Sequence, residues 1–158
     1  MAEFLTNKTF RFELVSPERI VVSGDAAMVL VPGKTGDFGV LAGHAPLSSS
    51  IRPGIVSVHL PSGEVRKIFV AGGFADVSGE FCSVLAEDAV DVNDLNRAET
   101  ENTLKALQAD LDTAEDDAVT LTKLRRQIVI AEAKIAACAQ ISSGLKVKNS
   151  VGAGAGHA

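Results

Sequence analysis

The hydrophobic rhythm of the chain changes near residue 91. Before it, apolar and polar positions alternate. In TFRFELV, Phe10, Phe12 and Leu14 point one way, and Arg11 and Glu13 the other. A period of two marks a half-buried strand. AAMVLVP, GIVSVHLP, EVRKIFVAG and FCSVLAEDAV are further short runs rich in β-branched residues. Ser23-Gly24-Asp25, Pro32-Gly33, Pro53-Gly54, Pro61-Ser62-Gly63, Gly72-Gly73 and Ser78-Gly79 punctuate them as turns. Short strands so closely spaced predict an antiparallel β-sandwich or flattened barrel of about eight to ten strands. All seven phenylalanines lie at or before Phe81 and all five prolines at or before Pro61. An aromatic core is therefore expected within residues 1–91.

From 92 to 142 the period lengthens, and the stretch holds neither Gly nor Pro. Leu104, Leu107, Leu111 and Ala114 make one apolar stripe; Leu121, Leu124, Ile128, Ala131, Ile135 and Cys138 make another. Glu115, Asp116 and Asp117 stand between them. Three acids are unfavourable at the C-terminus of a helix and favourable in the first turn of a new one. The pattern predicts two helices in an antiparallel hairpin turning near Asp112, with Thr113 as N-cap and Asp116 as its capping-box partner. One long helix with a shift of phase is the alternative. Two narrow stripes cover each other without making a full core, so this arm is expected to be held weakly and to dock in more than one position. Residues 143–158, rich in Gly and Ala and carrying His157, read as a flexible tail.

Composition narrows the function classes. Nearly half the residues are apolar and the net charge is −5, with no basic stripe of the kind nucleic-acid binding needs. Cys82 and Cys138 have no ligand spacing around them, which argues against a zinc site. Both read as small buried hydrophobes, in keeping with a reducing compartment. The first fourteen residues have neither the apolar core of a signal peptide nor the character of a transit peptide. No window has the roughly 18 apolar residues of a membrane span.

The densest cluster of chemistry-bearing residues is TGDFGVLAGHAPL, residues 35–47. VPGKTG ends like a phosphate loop, but Met28 occupies the position of the first glycine. Gly33, Gly36 and Gly39 recur every third residue, which is not the dinucleotide fingerprint. His44, Asp37 and Ser48-Ser49-Ser50 bring a hydrolase to mind, yet no nucleophile elbow accompanies them. The better reading is a Gly-rich protruding loop used for contact, on a non-catalytic interaction protein.

GDFGVLAGHAPL, IRPGIVSV, VAGGFADV, SVLAEDAV and DLNRAE, in that order, resemble the epsilon subunit of F-type ATP synthase, whose mitochondrial counterpart is called delta. The resemblance covers about residues 8–140. It implies a ten-stranded β-sandwich followed by a helix–turn–helix, without catalytic residues, metal or cofactor. It implies a rotor subunit at the foot of the central stalk, bound to gamma and to the c-ring and joined to the membrane only through them. It also implies residence on the cytoplasmic face of a bacterial inner membrane, or on an organellar inner membrane.

By the same resemblance Gly36, Asp37, Phe38, Gly39 and His44 face the c-ring. The helical arm moves between the sandwich and an extended position along gamma, where it restrains ATP hydrolysis. Lys123, Arg125, Arg126 and Lys134 then meet gamma or the catalytic alpha and beta subunits. Some relatives bind ATP through an [IL]-D-x-x-R-A motif. Here Asp94, Arg97 and Ala98 match it, Asn93 replaces the apolar residue, and Ile130 and Lys134 stand where second-helix arginines are expected. Ala42 departs from the proline usual before GHAPL.

Overall fold

A computed structural model describes residues 8–155 other than 116, with side chains described as far as residue 141. Ten strands come first: β1 Phe10–Val15, β2 Ile20–Ala26, β3 Met28–Gly33, β4 Gly36–Val40, β5 Leu47–Ile51, β6 Gly54–His59, β7 Val65–Val70, β8 Gly73–Val77, β9 Phe81–Ala86 and β10 Ala89–Asp91. They form one ladder in the order β10-β7-β6-β3-β5-β8-β9-β1-β2, with β4 attached to β3 alone. All pairings are antiparallel except β1 with β9. The ladder folds over itself, so that β1, β6, β7 and β9 all contribute to one apolar cluster, as expected for a sandwich.

The alternation seen in the sequence decides which face turns inward. Phe10, Phe12 and Leu14 are buried, while Arg11 is exposed and Glu13 half-buried. The core itself is built mainly from valine. Val29, Val31, Val40, Val56, Val58, Val70, Val77 and Val84 are essentially inaccessible, beside Phe12, Phe69, Leu14 and Ile68. The expected aromatic core is thus only partly found. Phe74 and Phe81 lie on the outward face of their strands, and Phe38 packs at the core's margin. The parity of each strand, not the aromatic character of the side chain, sets burial.

The second unit begins at Val92, the chain dividing into 1–91 and 92–158. A 3₁₀ turn, Val92–Asp94, leads to helix α1, Arg97–Thr113, and a short connection leads to α2, Ala118–Ala155. The connection sends α2 back along α1. Both predicted stripes are the better shielded faces: Leu104, Leu107, Leu111, Leu121, Leu124, Ile128 and Ile135 are half-buried and Ala131 is buried, among exposed neighbours.

The caps differ from those predicted. Asn96 is the N-cap of α1, its side-chain oxygen accepting from the Glu99 N–H at 3.1 Å. Asp94 therefore precedes the helix. Thr113 closes α1, its hydroxyl donating to the Ala109 carbonyl at 3.1 Å. Asp117 opens α2 instead, accepting from the Val119 N–H at 3.1 Å and the Thr120 hydroxyl at 2.7 Å. Its acidity is raised by the Thr120 bond first and the Val119 bond second, so its pKa lies below the usual aspartate value. Asp116 lies outside the described residues. The backbone of α2 stays helical past residue 142, where the tail was expected to begin. Alanines and the lack of proline let the helix run on through Gly144, Gly152 and Gly154. His157 lies outside the described residues.

Candidate functional site: a glycine-bounded edge hairpin

Residues 35–47 were expected to form a protruding loop; instead Gly36–Val40 is strand β4, the second strand of a hairpin with β3, and Leu47 already opens β5. Gly33 pairs with Gly36, Pro32 with Asp37, Val31 with Phe38 and Leu30 with Gly39, around a two-residue turn at Lys34-Thr35. Glycine is costly inside a strand, which is why the stretch reads as a loop. Here the glycines make the turn possible. A Cβ on Gly33 would lie 2.5 Å from the Gly36 carbonyl oxygen and 3.0 Å from the Phe38 ring. Gly36 has φ +149°, a region that side-chain-bearing residues avoid. Among the described residues β4 pairs with β3 alone, so the hairpin is an edge of the ladder.

Asp37 is exposed on β4, but it is not a bare acid. The Arg52 guanidinium spans two groups on the hairpin. Nη1 donates to the Gly33 carbonyl at 2.5 Å, and Nη2 pairs with the Asp37 carboxylate. The backbone holds the same join: the Arg52 N–H donates to Pro32 O at 3.0 Å and the Lys34 N–H to Ser50 O at 2.9 Å. Sequence reasoning missed Arg52, because the pair spans fifteen positions and depends on how β3, β4 and β5 meet.

His44 stands beyond the other end of β4. Its N–H donates to Leu41 O at 3.1 Å in a turn where Gly43 takes φ +82°, and its Nδ1 lies 2.6 Å from Ala45 O. The Gly43 N–H donates to Gly79 O at 2.8 Å, which ties this turn to the β8–β9 turn. Asp37 and His44 are thus at opposite ends of one strand. The serines have other partners, Ser48 donating to Asp76 at 2.9 Å and Ser49 to the Ser50 carbonyl at 3.0 Å. No Ser–His–Asp relay is assembled from them. Cys82 is buried, and burial first, then the charge of Asp76, pushes its thiol up to about 12, out of nucleophilic range.

A second surface was not foreseen. Strand register aligns Phe74 with Leu85, Leu85 with Val15, and Val15 with Ile20. The four side chains form one row across β8, β9, β1 and β2 on the face opposite the core. Phe74 is 47%, Leu85 57% and Ile20 62% exposed. Exposed apolar side chains aligned in one row make this face a candidate contact surface.

On α2, Lys123, Arg125 and Arg126 are exposed and Lys134 half-buried. At roughly 100° per residue, Lys123 and Lys134 share one flank of the apolar stripe, Arg126 lies opposite the stripe, and Arg125 falls on the other flank. Asp94 is exposed in the 3₁₀ turn. Arg97 is engaged in a helix-surface pair, its Nε donating to Glu101 at 3.0 Å. Among the described residues no helix is long and apolar enough to cross a membrane.

The family described as "ATP synthase, Delta/Epsilon chain, beta-sandwich domain" matches residues 9–92. The ATP synthase epsilon chain of Rhodospirillum centenum is 45% identical over 129 residues, covering 78% of this chain and 88% of the relative. Two solved structures share the fold. One is of the Euglena gracilis mitochondrial ATP synthase, OSCP/F1/c-ring, with TM-score 0.72 and 21% identity over 82% of this chain and 81% of that one. The other is of the Tetrahymena thermophila mitochondrial ATP synthase central stalk and c-ring, with TM-score 0.62 and 12% identity over 82% of this chain and 96% of that one.

Proposed function

This chain belongs to the ATP synthase delta/epsilon family, and on that premise we propose that it is a non-catalytic rotor subunit that joins gamma to the c-ring. Kinship over 88% of an epsilon chain's length carries the proposal. The β3–β4 hairpin makes the c-ring contact, with Gly36, Asp37, Phe38 and Gly39 at its edge and His44 in the turn that follows. An edge strand held at both ends transmits force without bending away, which a coupling contact under torque requires. The apolar row of Phe74, Leu85, Val15 and Ile20 is the surface that gamma covers. Docking on gamma and the ring places the chain at the membrane surface, on the cytoplasmic side of a bacterial inner membrane.

The helical pair restrains ATP hydrolysis. Lys123 and Lys134 share a flank that, with Arg126 on the outer face beside it, suits the acidic surfaces of catalytic subunits, and Arg125 reaches a different neighbour or gamma. A disulfide crosslink tests the central contact. Asp37→Cys, within the assembled enzyme, is expected to couple to a cysteine placed in the polar loop of a c subunit while turnover continues, because both partners belong to the rotor. Absence of the crosslink, in an enzyme that assembles and turns over, removes the contact from the hairpin.

A further inference from the structure

We propose that Arg52 is the positioning residue of the hairpin contact, and that Asp37 and Arg52 meet the partner as one neutral pair, not as an acid alone. The inference rests on the reading that this hairpin meets the c-ring. It comes from the fork geometry of a single guanidinium. One nitrogen is fixed on the Gly33 carbonyl at 2.5 Å, at the last residue of β3, and the other holds a carboxylate oxygen of Asp37 on β4. A planar fork has little freedom once both arms are engaged. Arg52 is itself placed by its own N–H on Pro32 O at 3.0 Å, next to the pairing of Gly33 with Ile51. Three strands thus fix the direction of one exposed carboxylate.

The pair has two consequences at a contact surface. The carboxylate oxygen that Arg52 engages is already bonded, so a partner donor is met mainly by the other oxygen. The guanidinium cancels the formal charge, so the contact is made by hydrogen bonds between polar groups, which suits a hydroxyl- or amide-bearing loop better than a basic one. Such a contact depends weakly on ionic strength, whereas a lone carboxylate meeting a cation is screened over about 10 Å at 0.1 M salt.

The test uses F1 carrying each variant and measures its rebinding to c-ring-containing membranes at low and high salt. Asp37→Ala, Arg52→Gln and the double variant are compared, with Arg52→Lys to keep the charge without the fork. Unfolding midpoints of the isolated full chains serve as the folding control. The expected result is that both single variants and the double variant weaken rebinding by a similar factor, on the order of threefold to tenfold, since groups in one network do not add. Arg52→Gln leaves the Asp37 carboxylate as an unbalanced charge beside an anionic membrane surface, so rebinding is expected to become salt-dependent, which a mere loss of packing would not do. Arg52→Lys should restore the salt behaviour but only part of the affinity.

If Arg52→Gln rebinds like the unaltered chain while Asp37→Ala does not, or if the two losses multiply in the double variant, the positioning role is overturned and the c-ring contact stands. If Asp37→Ala itself leaves rebinding unchanged, the hairpin contact is overturned and this inference with it. Should Arg52→Gln fail to fold, the pair is judged on Arg52→Lys and Asp37→Asn, which keep charge or shape in turn.

Discussion

Gly33 is the residue on which the edge hairpin turns. The atom nearest to an added Cβ is a backbone oxygen, that of Gly36 at 2.5 Å, and a backbone atom cannot swing aside as a side-chain tip can. Gly33→Ala is therefore expected to destabilise the chain by about 1–3 kcal/mol through forced backbone displacement. Gly79→Ala meets no atom within 4 Å and has no unusual φ, so it is expected to change stability by no more than about 0.5 kcal/mol. Urea unfolding of the two variants checks the contrast; equal midpoints would show that the hairpin turn is not tight. The sequence announces these glycines but not their purposes. Each matches a loop as well as a strand with a close backbone approach, and only the partner across the ladder tells the two apart. Arg52 is hidden for the same reason: an ion pair between strands distant in sequence leaves no local pattern. The turn at His44 is local, because the Gly43-His44-Ala45-Pro46 run carries its own turn chemistry.

Elements are more legible than residues where one period dominates. The 3.6-residue rhythm of Leu121, Leu124, Ile128 and Ile135 fixes both the helix and its shielded face, whatever the neighbours are. Its starting point is not fixed in the same way, since Glu115, Asp116 and Asp117 all satisfy the macrodipole equally. What selects Asp117 is a pair of short-range bonds, to the Val119 N–H and the Thr120 hydroxyl. A pH dependence follows. The folded pKa of Asp117 is lowered relative to the unfolded chain, so its contribution is fully present above the unfolded value near 3.8 and is lost as pH falls through the lower folded value. The start of α2 is expected to fray in that acid window. Asp117→Ala should fray it at every pH and remove this part of the acid dependence. Far-UV circular dichroism between pH 2 and about 6 compares the two, and an identical acid profile in the variant would assign the dependence to other carboxylates.

At the scale of the whole chain, the two units follow from two kinds of pattern, and the break between them is visible in composition alone. The ladder order is not visible, because pairings such as β3 with β6 or β1 with β9 join segments far apart and any short strand satisfies the local pattern. Nor is the apolar row, whose members come from four strands and meet only through register. If gamma covers that row, a charge at its centre opposes docking: Leu85→Asp is expected to lower affinity for gamma at least tenfold, read by co-sedimentation, with little effect on the sandwich because Leu85 is 57% exposed. Unaltered gamma binding in that variant would move the interface elsewhere.

The division at Asp91 makes a last prediction, with the two units separable in experiment. Every residue of the main apolar cluster lies before Val92, from Phe10 to Ala89. Among the described residues, no strand of the ladder is supplied from beyond it. A chain ending at residue 91 is therefore expected to keep a cooperative unfolding transition. In the assembled enzyme the same truncation keeps the hairpin and the apolar row, so proton pumping should stay coupled while the ATPase rate rises as the restraint of the helices is removed. Two measurements separate the possibilities. A broad, non-cooperative melt of the truncated chain would mean that the sandwich needs the helices to fold. A sharp melt with an unchanged ATPase rate would mean that the helices of this chain do not act on the catalytic subunits at all.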